Sequence, residues 1–513
     1  MGILPTMLKK LINVIPRNDF MPPQNEVHGL RIIRDLCDSL EQHNINYCHW
    51  KSNTAIHRSA NGQNDLDLLV SLNDMPQFLD LLLHLGFKKA EVYPKYQLPG
   101  IYDYYGLDHQ TGILVHAHVH DRLTLGHDAT KNYHIPIEEQ YLATASQQGL
   151  FRIPSTEFEF IILIIRLILK HCTWDALILQ QGKLSRSEKS ELVDLRERSS
   201  ENKIYELLRM HFPFIGIQLF TELVSVLASP TQLVKRAIIG QKLIRCLSGF
   251  GRYPPIIDTG LKFWRRFAWP IEIRVLRRDV RKRMTSGGHS IAIIGGDGAG
   301  KTTTVEEISK WLAADFRVET FHMGKPQWSF PTIIIRGILK IGRSLRLYPF
   351  MRADVLYIKD AKSLVFPGYP WLIREICTAR DRYLTYKRAK SLVEQGYFVI
   401  LDRFPISQIK FMDGPQGSRL TVNLSQNNLV KYLINWEESY YKKIFMPDLL
   451  LLLRVDPNVA VKRKTTEIEH EVHARTSEIW EIDWSKTPAQ VIDANQTKER
   501  VILEAKKNIW SQL

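Results

Sequence analysis

The stretch Ser290-Ile-Ala-Ile-Ile-Gly-Gly-Asp-Gly-Ala-Gly-Lys-Thr-Thr-Thr304 constrains this chain more than any other. Residues Gly295 to Thr302 satisfy G-x-x-x-x-G-K-[ST] directly after a short apolar run, Ile291 to Ile294. An amphipathic segment follows, with Val305, Ile308 and Leu312 at helical spacing. Strand, glycine-rich turn and helix in that order define a phosphate-binding loop. Four glycines in six positions let the backbone curl, so that successive N–H groups point inward at a phosphate. Lys301 then neutralises the β- and γ-phosphates, and the Thr302 hydroxyl can ligate Mg²⁺. The candidate nucleotide-binding segment is Gly295, Gly296, Asp297, Gly298, Ala299, Gly300, Lys301, Thr302 and Thr303. A glycine-rich turn that binds nothing is the alternative, and the strand and helix on either side argue against it.

A chain of 513 residues should hold two or three domains. Its formal charge of +15 favours polyanionic partners, nucleotides or an acidic membrane surface; nucleic acid is not expected. Cys37, Cys48, Cys172, Cys246 and Cys377 are scattered without a C-x-x-C pair, so no disulfide framework is expected, which fits a reducing cytoplasm. The most apolar stretch, Phe160 to Leu169, contains Arg166 and is too short to span a bilayer. The N-terminus lacks a small-residue cleavage site, so a secretory signal is not expected. Met1-Gly-Ile-Leu-Pro-Thr6 formally fits a myristoylation pattern too short to weigh.

Composition separates four segments. Residues 1–150 mix a helix near Val27 to Gln42 with short strands, Asp65 to Val70 and Gly112 to His120, and predict an α+β domain. Residues 151–260 predict a helical domain, opening at Thr156-Glu-Phe-Glu159, a capping box on an apolar helix that runs to about Lys170. Residues 288–513 alternate strands (Phe398 to Leu401, Asp448 to Val455, Ala489 to Ile492) with helices, which implies a parallel sheet covered on both faces. Between them, 261–287 form a basic linker with nine Lys/Arg and two acids from Lys262 to Met284. After Pro270, a good first-turn residue, Ile273, Leu276, Val280 and Met284 make one apolar stripe. Either the stripe packs on a domain and the basic residues are solvated, or the segment adsorbs to an anionic membrane or a polyphosphorylated acceptor.

Beyond the loop, several blocks occur in an order that resembles thymidylate kinases of the nucleoside-monophosphate kinase group. Gly-Gly-Asp-Gly-Ala-Gly-Lys-Thr-Thr303 is similar to that family's loop. Ala379-Arg-Asp-Arg382 leads a helix, and Glu394-Gln-Gly-Tyr-Phe-Val-Ile-Leu-Asp-Arg-Phe404 resembles its strand ending in Asp-Arg-Tyr/Phe. Pro447 to Arg463 resembles the fourth strand, helix and lid entry, and Ile492-Asp-Ala-Asn495 the last strand. The resemblance covers roughly residues 288–510 and implies an ATP-dependent phosphotransferase. Independently of it, Asp402 ends a buried strand beside the loop, where a carboxylate can hold Mg²⁺ or its waters. By the resemblance, Arg403 and Arg382 grip an acceptor phosphate, a bidentate task suited to guanidinium, and Asp297 faces the acceptor.

Some thymidylate kinases carry an arginine inside the loop. Here Gly298 and Ala299 occupy those positions, so a lid cation must meet the transition-state charge, with Arg463, Lys464 and Arg475 as candidates. Two departures bear on substrate. Ser407-Gln-Ile-Lys-Phe-Met-Asp-Gly414 replaces the usual Ser-x-x-Ala-Tyr-Gln. The segment Pro331 to Trp371 is long and carries Arg336, Lys340, Arg343, Arg346 and Arg352. Thymine-specific stacking is not legible, and another phosphorylated acceptor stays open.

At the N-terminus, Tyr47-Cys-His-Trp-Lys-Ser-Asn53 followed by Gly62-Gln-Asn-Asp-Leu-Asp-Leu-Leu-Val70 resembles the nucleotidyltransferase pattern. Strand alternation puts Asp65 and Asp67 on one face about 7 Å apart, suitable for divalent metal. The resemblance gives Ser52 to a triphosphate, although Lys51 stands where the family has glycine. His118 falls where a third carboxylate is expected. His116, His118 and His120 also share a face suited to a transition metal, without an evident fourth ligand. An active transferase, a retained ligand-binding fold and coincidence all remain open.

The sequence therefore predicts a cytoplasmic α/β protein using ATP and Mg²⁺, with peripheral contact to the inner membrane face through the basic linker as an open alternative. Its phosphorylated acceptor is most simply a nucleoside monophosphate such as dTMP. The alternatives are a kinase of a sugar- or lipid-linked intermediate in surface polysaccharide synthesis, and a non-catalytic ATP-binding regulatory module.

Overall fold

Two-residue alternation of apolar side chains builds the first sheet. A computed structural model describes residues 29–178, 183–227, 232–275, 281–348, 368–409, 414–417, 428–465 and 467–513. The chain divides into two compact units after residue 280. In the N-terminal unit, strands β1 (Tyr47–His49), β2 (Leu66–Val70), β3 (Lys88–Glu91), β4 (Ile101–Leu107) and β5 (Leu114–His120) lie in the order β1-β2-β5-β4-β3. β2 and β5 are parallel, and the other neighbours are antiparallel. Helix α1 (Arg31–Gln42) buries Ile32, Ile33, Leu36 and Leu40 against Leu66, Leu68, Val70, Val115, Ala117 and Val119. Alternation leaves Asp67 and the even-numbered histidines of β5 on the opposite face.

Cys48, Trp50 and Leu69 join the core of α2 (Thr156–His171). Thirteen of the 16 α2 residues are buried, so this helix is covered nearly all round. Helices α3 (Arg186–Arg198), α4 (Glu201–His211), α5 (Gly216–Leu227) and α6 (Leu233–Cys246) contribute to the same core. One side of the α+β segment thus shares a hydrophobic core with the helical segment, and the other packs on α1. The α2 cap is Ser155, one residue before the expected Thr156; its Oγ accepts from the Phe158 N–H at 3.3 Å.

The basic segment departs from its expected form. Pro270 ends helix α7 (Pro255–Pro270) and is inside it, followed by a π-helical turn, Ile271–Val275. A proline has no N–H for the i→i−4 bond, and the widened turn follows that gap. Lys262 is buried against Asp258 (2.7 Å), Arg266 pairs with Asp175 (3.0 Å), and Arg265 donates to the Lys95 carbonyl (2.7 Å). Three of its cations therefore serve the N-terminal unit. Leu276, Val280 and the Ile273 side chain lie outside the described residues, as does the Met1–Thr6 pattern.

In the C-terminal unit, β6 (His289–Gly295), β7 (Val318–His322), β8 (Phe398–Asp402), β9 (Leu449–Arg454) and β10 (Ala489–Asp493) form an all-parallel sheet ordered β7-β8-β6-β9-β10. β8 is buried throughout and β9 nearly so, as strands covered on both faces must be. Ala292, Ile294, Val399, Leu401, Leu450 and Leu452 share a core with Ala389 and Ile479, and the alternate Ile291, Ile293, Ile400, Leu451 and Leu453 are buried on the other face. In open parallel sheets ligands bind beyond the carboxyl ends of the strands, where strand order reverses. Here that is the end of β6 beside β8. No helix among the described residues is long and apolar enough to cross a membrane.

Candidate active site

β6 delivers the chain to Gly295, and helix α8 (Lys301–Ala313) leaves from Gly300. Gly298 has φ 75°, and a Cβ there would sit 2.8 Å from the Ala460 carbonyl, so only glycine fits. Gly300 caps α8 at φ 87°, a left-handed conformation that favours glycine. The Lys301 ammonium is buried and donates to the Gly295 and Gly296 carbonyls at 3.0 and 2.6 Å. Thr302 and Thr303 are exposed on the first turn.

β8 brings Asp402 beside the loop, in register with Ile293. Its Oδ1 is buried and has no hydrogen-bond partner among the described residues, while Oδ2 lies 3.7 Å from His322. A buried carboxylate oxygen without a donor fits a cation ligand. Arg403 follows with φ 59°, a strained conformation for a long side chain, and its N–H donates to the Ile293 carbonyl at 3.1 Å. Its guanidinium reaches Asp297 at 3.8 Å, and a narrow cleft runs from Lys301 past Arg403 to Phe404, Ile406 and Ile409.

Asp297 is buried inside the loop and pairs with Arg475 at 2.8 Å, a contact the sequence reading missed because 178 residues separate the two. Arg475, on helix Glu469–Glu481, also pairs with Glu471 (2.6 Å) and Glu467 (3.4 Å). Arg463 donates to the Ala494 carbonyl at 2.9 Å and the Gly298 carbonyl at 3.4 Å, and Lys464 pairs with Glu467. Arg382 is buried in helix Tyr369–Glu394; it donates to the Met323 and Gly324 carbonyls at 2.9 and 3.3 Å and to the Tyr441 hydroxyl. Arg352 and residues 410–413 lie outside the described residues.

The N-terminal unit carries a second polar cluster. Parallel register sets Asp67 beside His118, 3.0 Å from its Nδ1. The Lys51 ammonium reaches the same Asp67 oxygen at 2.7 Å. Burial alone would raise the Asp67 carboxyl, but the Lys51 charge and His118 hold it well below the usual carboxylate range. Asp65 is bound by His116 Nδ1 at 2.8 Å, and His116 Nε2 meets Asp103 at 2.8 Å. Ser52 has φ 61°, and its N–H donates to Glu191 at 3.0 Å. Glu159 accepts from the Asn53 N–H at 3.3 Å, and burial pushes its carboxyl up to about 7. Burial, then the Lys51 charge, pulls the Lys131 ammonium down to about 8. Asp65 and Asp67 are thus each engaged by basic side chains, Asp65 by His116 and Asp67 by Lys51 and His118. Asp103, Lys131 and Glu191 carried no motif from which sequence could place them, and Glu159 reads in sequence only as the last residue of a capping box.

Part of the chain is similar to P-loop nucleotide kinases and ATP-binding proteins. It is 23% identical over 223 residues to the uncharacterized ATP-binding protein YghR of Escherichia coli (strain K12), covering 43% of this chain and 86% of that protein. It is 24% identical over 231 residues to the thymidylate kinase of Clostridium novyi (strain NT), covering 43% of this chain and 97% of that protein. Among solved structures, the deoxyadenosine kinase from M. mycoides with bound dATP matches at 20% identity and a TM-score of 0.25, covering 43% of this chain and 98% of that one. No protein-family model matches the chain.

Proposed function

We propose that the C-terminal unit is an ATP-dependent phosphotransferase that moves the γ-phosphoryl group to a phosphorylated acceptor, most simply a nucleoside monophosphate such as dTMP. The observation that carries this reading is the phosphate loop with Lys301 at its base and, on the adjacent strand, Asp402 Oδ1, buried with no hydrogen-bond partner among the described residues. Phosphoryl transfer asks for positioning and charge more than covalent chemistry, and these groups supply both. Thr302 and Asp402 would hold Mg²⁺, which when bound neutralises the donor phosphates. Arg403 serves the acceptor phosphate. Arg382, held by the Tyr441 hydroxyl and the carbonyls of Met323 and Gly324, is assigned with it to the acceptor phosphate. Arg475 stands as the lid cation, with Arg463 bracing the loop from Ala494. ATP turnover with and without phosphorylated acceptors separates this reading from that of an ATP-binding regulatory module.

A second reading, a sugar- or lipid-linked acceptor presented at a membrane, is favoured by one observation. On helix Phe330–Ser344 and its end, Ile334, Ile338, Ile341 and Leu345 form an exposed stripe at helical spacing, flanked by exposed Lys340, Arg343 and Arg346. Such a face suits the boundary of an anionic bilayer. Salt-sensitive sedimentation with anionic but not neutral vesicles supports it, and equal or absent binding to both rejects it. The N-terminal unit is read as a nucleotidyltransferase-like fold kept for ligand binding, with Ser52, Asp65, Asp67 and His118 at its face.

A further inference from the structure

We propose that Asp67, His118 and His120 form a three-ligand site for a divalent transition metal of the zinc class in the N-terminal unit. Three features of the sheet bring the ligand atoms together. Parallel pairing of β2 with β5 sets Asp67 level with His118, and the two-residue strand period places His120 on the same face. Asp67 Oδ1 lies 3.0 Å from His118 Nδ1, which lies 3.3 Å from His120 Nε2. One ligand atom from each of the three residues falls within 4.8 Å of the others. Ligands held at about 2.0–2.1 Å around a tetrahedral ion stand roughly 3.3 Å apart.

Proton counting gives the second argument. His118 Nδ1 faces a carboxylate oxygen and a second imidazole nitrogen, and one N–H cannot serve both well. If His120 donates to it, its lone pair is left facing the Asp67 oxygen. If it donates to Asp67, His120 Nε2 accepts only a share of that N–H, and the buried His120 Nδ1, which has no hydrogen-bond partner among the described residues, carries the proton. A cation between the three atoms satisfies two lone pairs and the carboxylate at once. Two imidazoles favour a transition metal over Mg²⁺.

His116 is not a ligand, since both its nitrogens are engaged, by Asp65 and Asp103. The sequence set of three histidines is therefore replaced by two histidines and Asp67. Lys51 competes with the metal for Asp67 Oδ1, so its ammonium must swing aside on binding. Three protein ligands leave a coordination position for water or an anionic oxygen, as in sites that act on a ligand.

The test uses untagged full-length protein, stripped with a chelator and titrated with Zn²⁺ or Co²⁺ in excess Mg²⁺. Expected are one ion per chain by elemental analysis and a visible Co²⁺ band of low-coordinate type. His118→Ala and His120→Ala should each weaken binding at least about 10-fold, because even outer-shell changes at metal sites cost that much. His116→Ala should keep the band, and Lys51→Met should tighten binding. Melting curves of the metal-free variants control for folding, and the gain in Lys51→Met does not depend on a destabilised variant. No stoichiometric uptake overturns the site. So does wild-type binding by folded His118→Ala and His120→Ala, or weaker binding by Lys51→Met.

Discussion

Arg475 Nη1 stands 2.8 Å from Asp297 Oδ2, joining helix Glu469–Glu481 to the interior of the phosphate loop. The loop itself has no arginine, and this guanidinium reaches into it from a distant helix. Arg475→Ala should lower kcat by about 10³-fold, the lower end of the range over which transition-state arginines act in phosphoryl transfer. Arg475→Lys should recover part of the loss. Steady-state kinetics check this. Unchanged kcat in Arg475→Ala would give the pairing a packing role alone.

Lys301→Met should abolish transfer while the protein still folds. The variant keeps the aliphatic stem in its buried slot and removes only the charge beside the Gly295 and Gly296 carbonyls. Turnover and thermal melting are measured together. Near wild-type turnover would mean that the loop does not bind the donor phosphates through this residue.

Arg403→Ala should lose at least about 10²-fold in kcat/KM for the acceptor, with the KM for ATP little changed. The strained backbone at φ 59° aims its guanidinium into the cleft toward Asp297, and alanine there removes the reach without moving Asp402. Kinetics with each substrate varied in turn decide it. Weaker ATP binding with normal acceptor handling would move Arg403 to the donor side.

Much of this site is legible in sequence because its signals are local. The loop, the buried run to Asp402 and the run of leucines in β9 each carry their own pattern. Contacts set by distant chain segments are not legible. Arg475 meets Asp297 across 178 positions, and Lys51 reaches Asp67 only because β1 and β2 pair. The strand Val318–His322 escaped notice because it lies at the sheet edge, where Glu319 and Thr320 are exposed and the apolar run is broken. Ser155, not Thr156, caps α2 because the chain turns from extended to helical one residue earlier than the motif spacing suggests.

Stability of the N-terminal unit should depend on Glu159. Burial raises its carboxyl to about 7, above the ordinary 4.5. The native state therefore holds a proton that the unfolded chain releases, so the unfolding free energy falls as pH rises from about 4.5 to about 7 and levels off beyond. Glu159→Gln stays neutral and should remove that part of the slope, up to about 3 kcal/mol between the two ends. Glu191 is also raised by burial, so the informative quantity is the difference between variant and wild type. Denaturant unfolding at pH 4.5, 6 and 8 measures it. Identical slopes in both proteins would place the Glu159 proton elsewhere.

The central claim is that the C-terminal unit transfers a phosphoryl group to a phosphorylated acceptor, with Asp402 and Lys301 at the reacting end. Its most direct test incubates the full-length protein with γ-labelled ATP and Mg²⁺ against a panel of nucleoside monophosphates, phosphosugars and phospholipid-linked intermediates. Label should appear on at least one phosphorylated acceptor, and the transfer should vanish in both Lys301→Met and Asp402→Asn. Label that passes only to water, or to no molecule in the panel, or that transfers equally well in the two variants, would contradict the account.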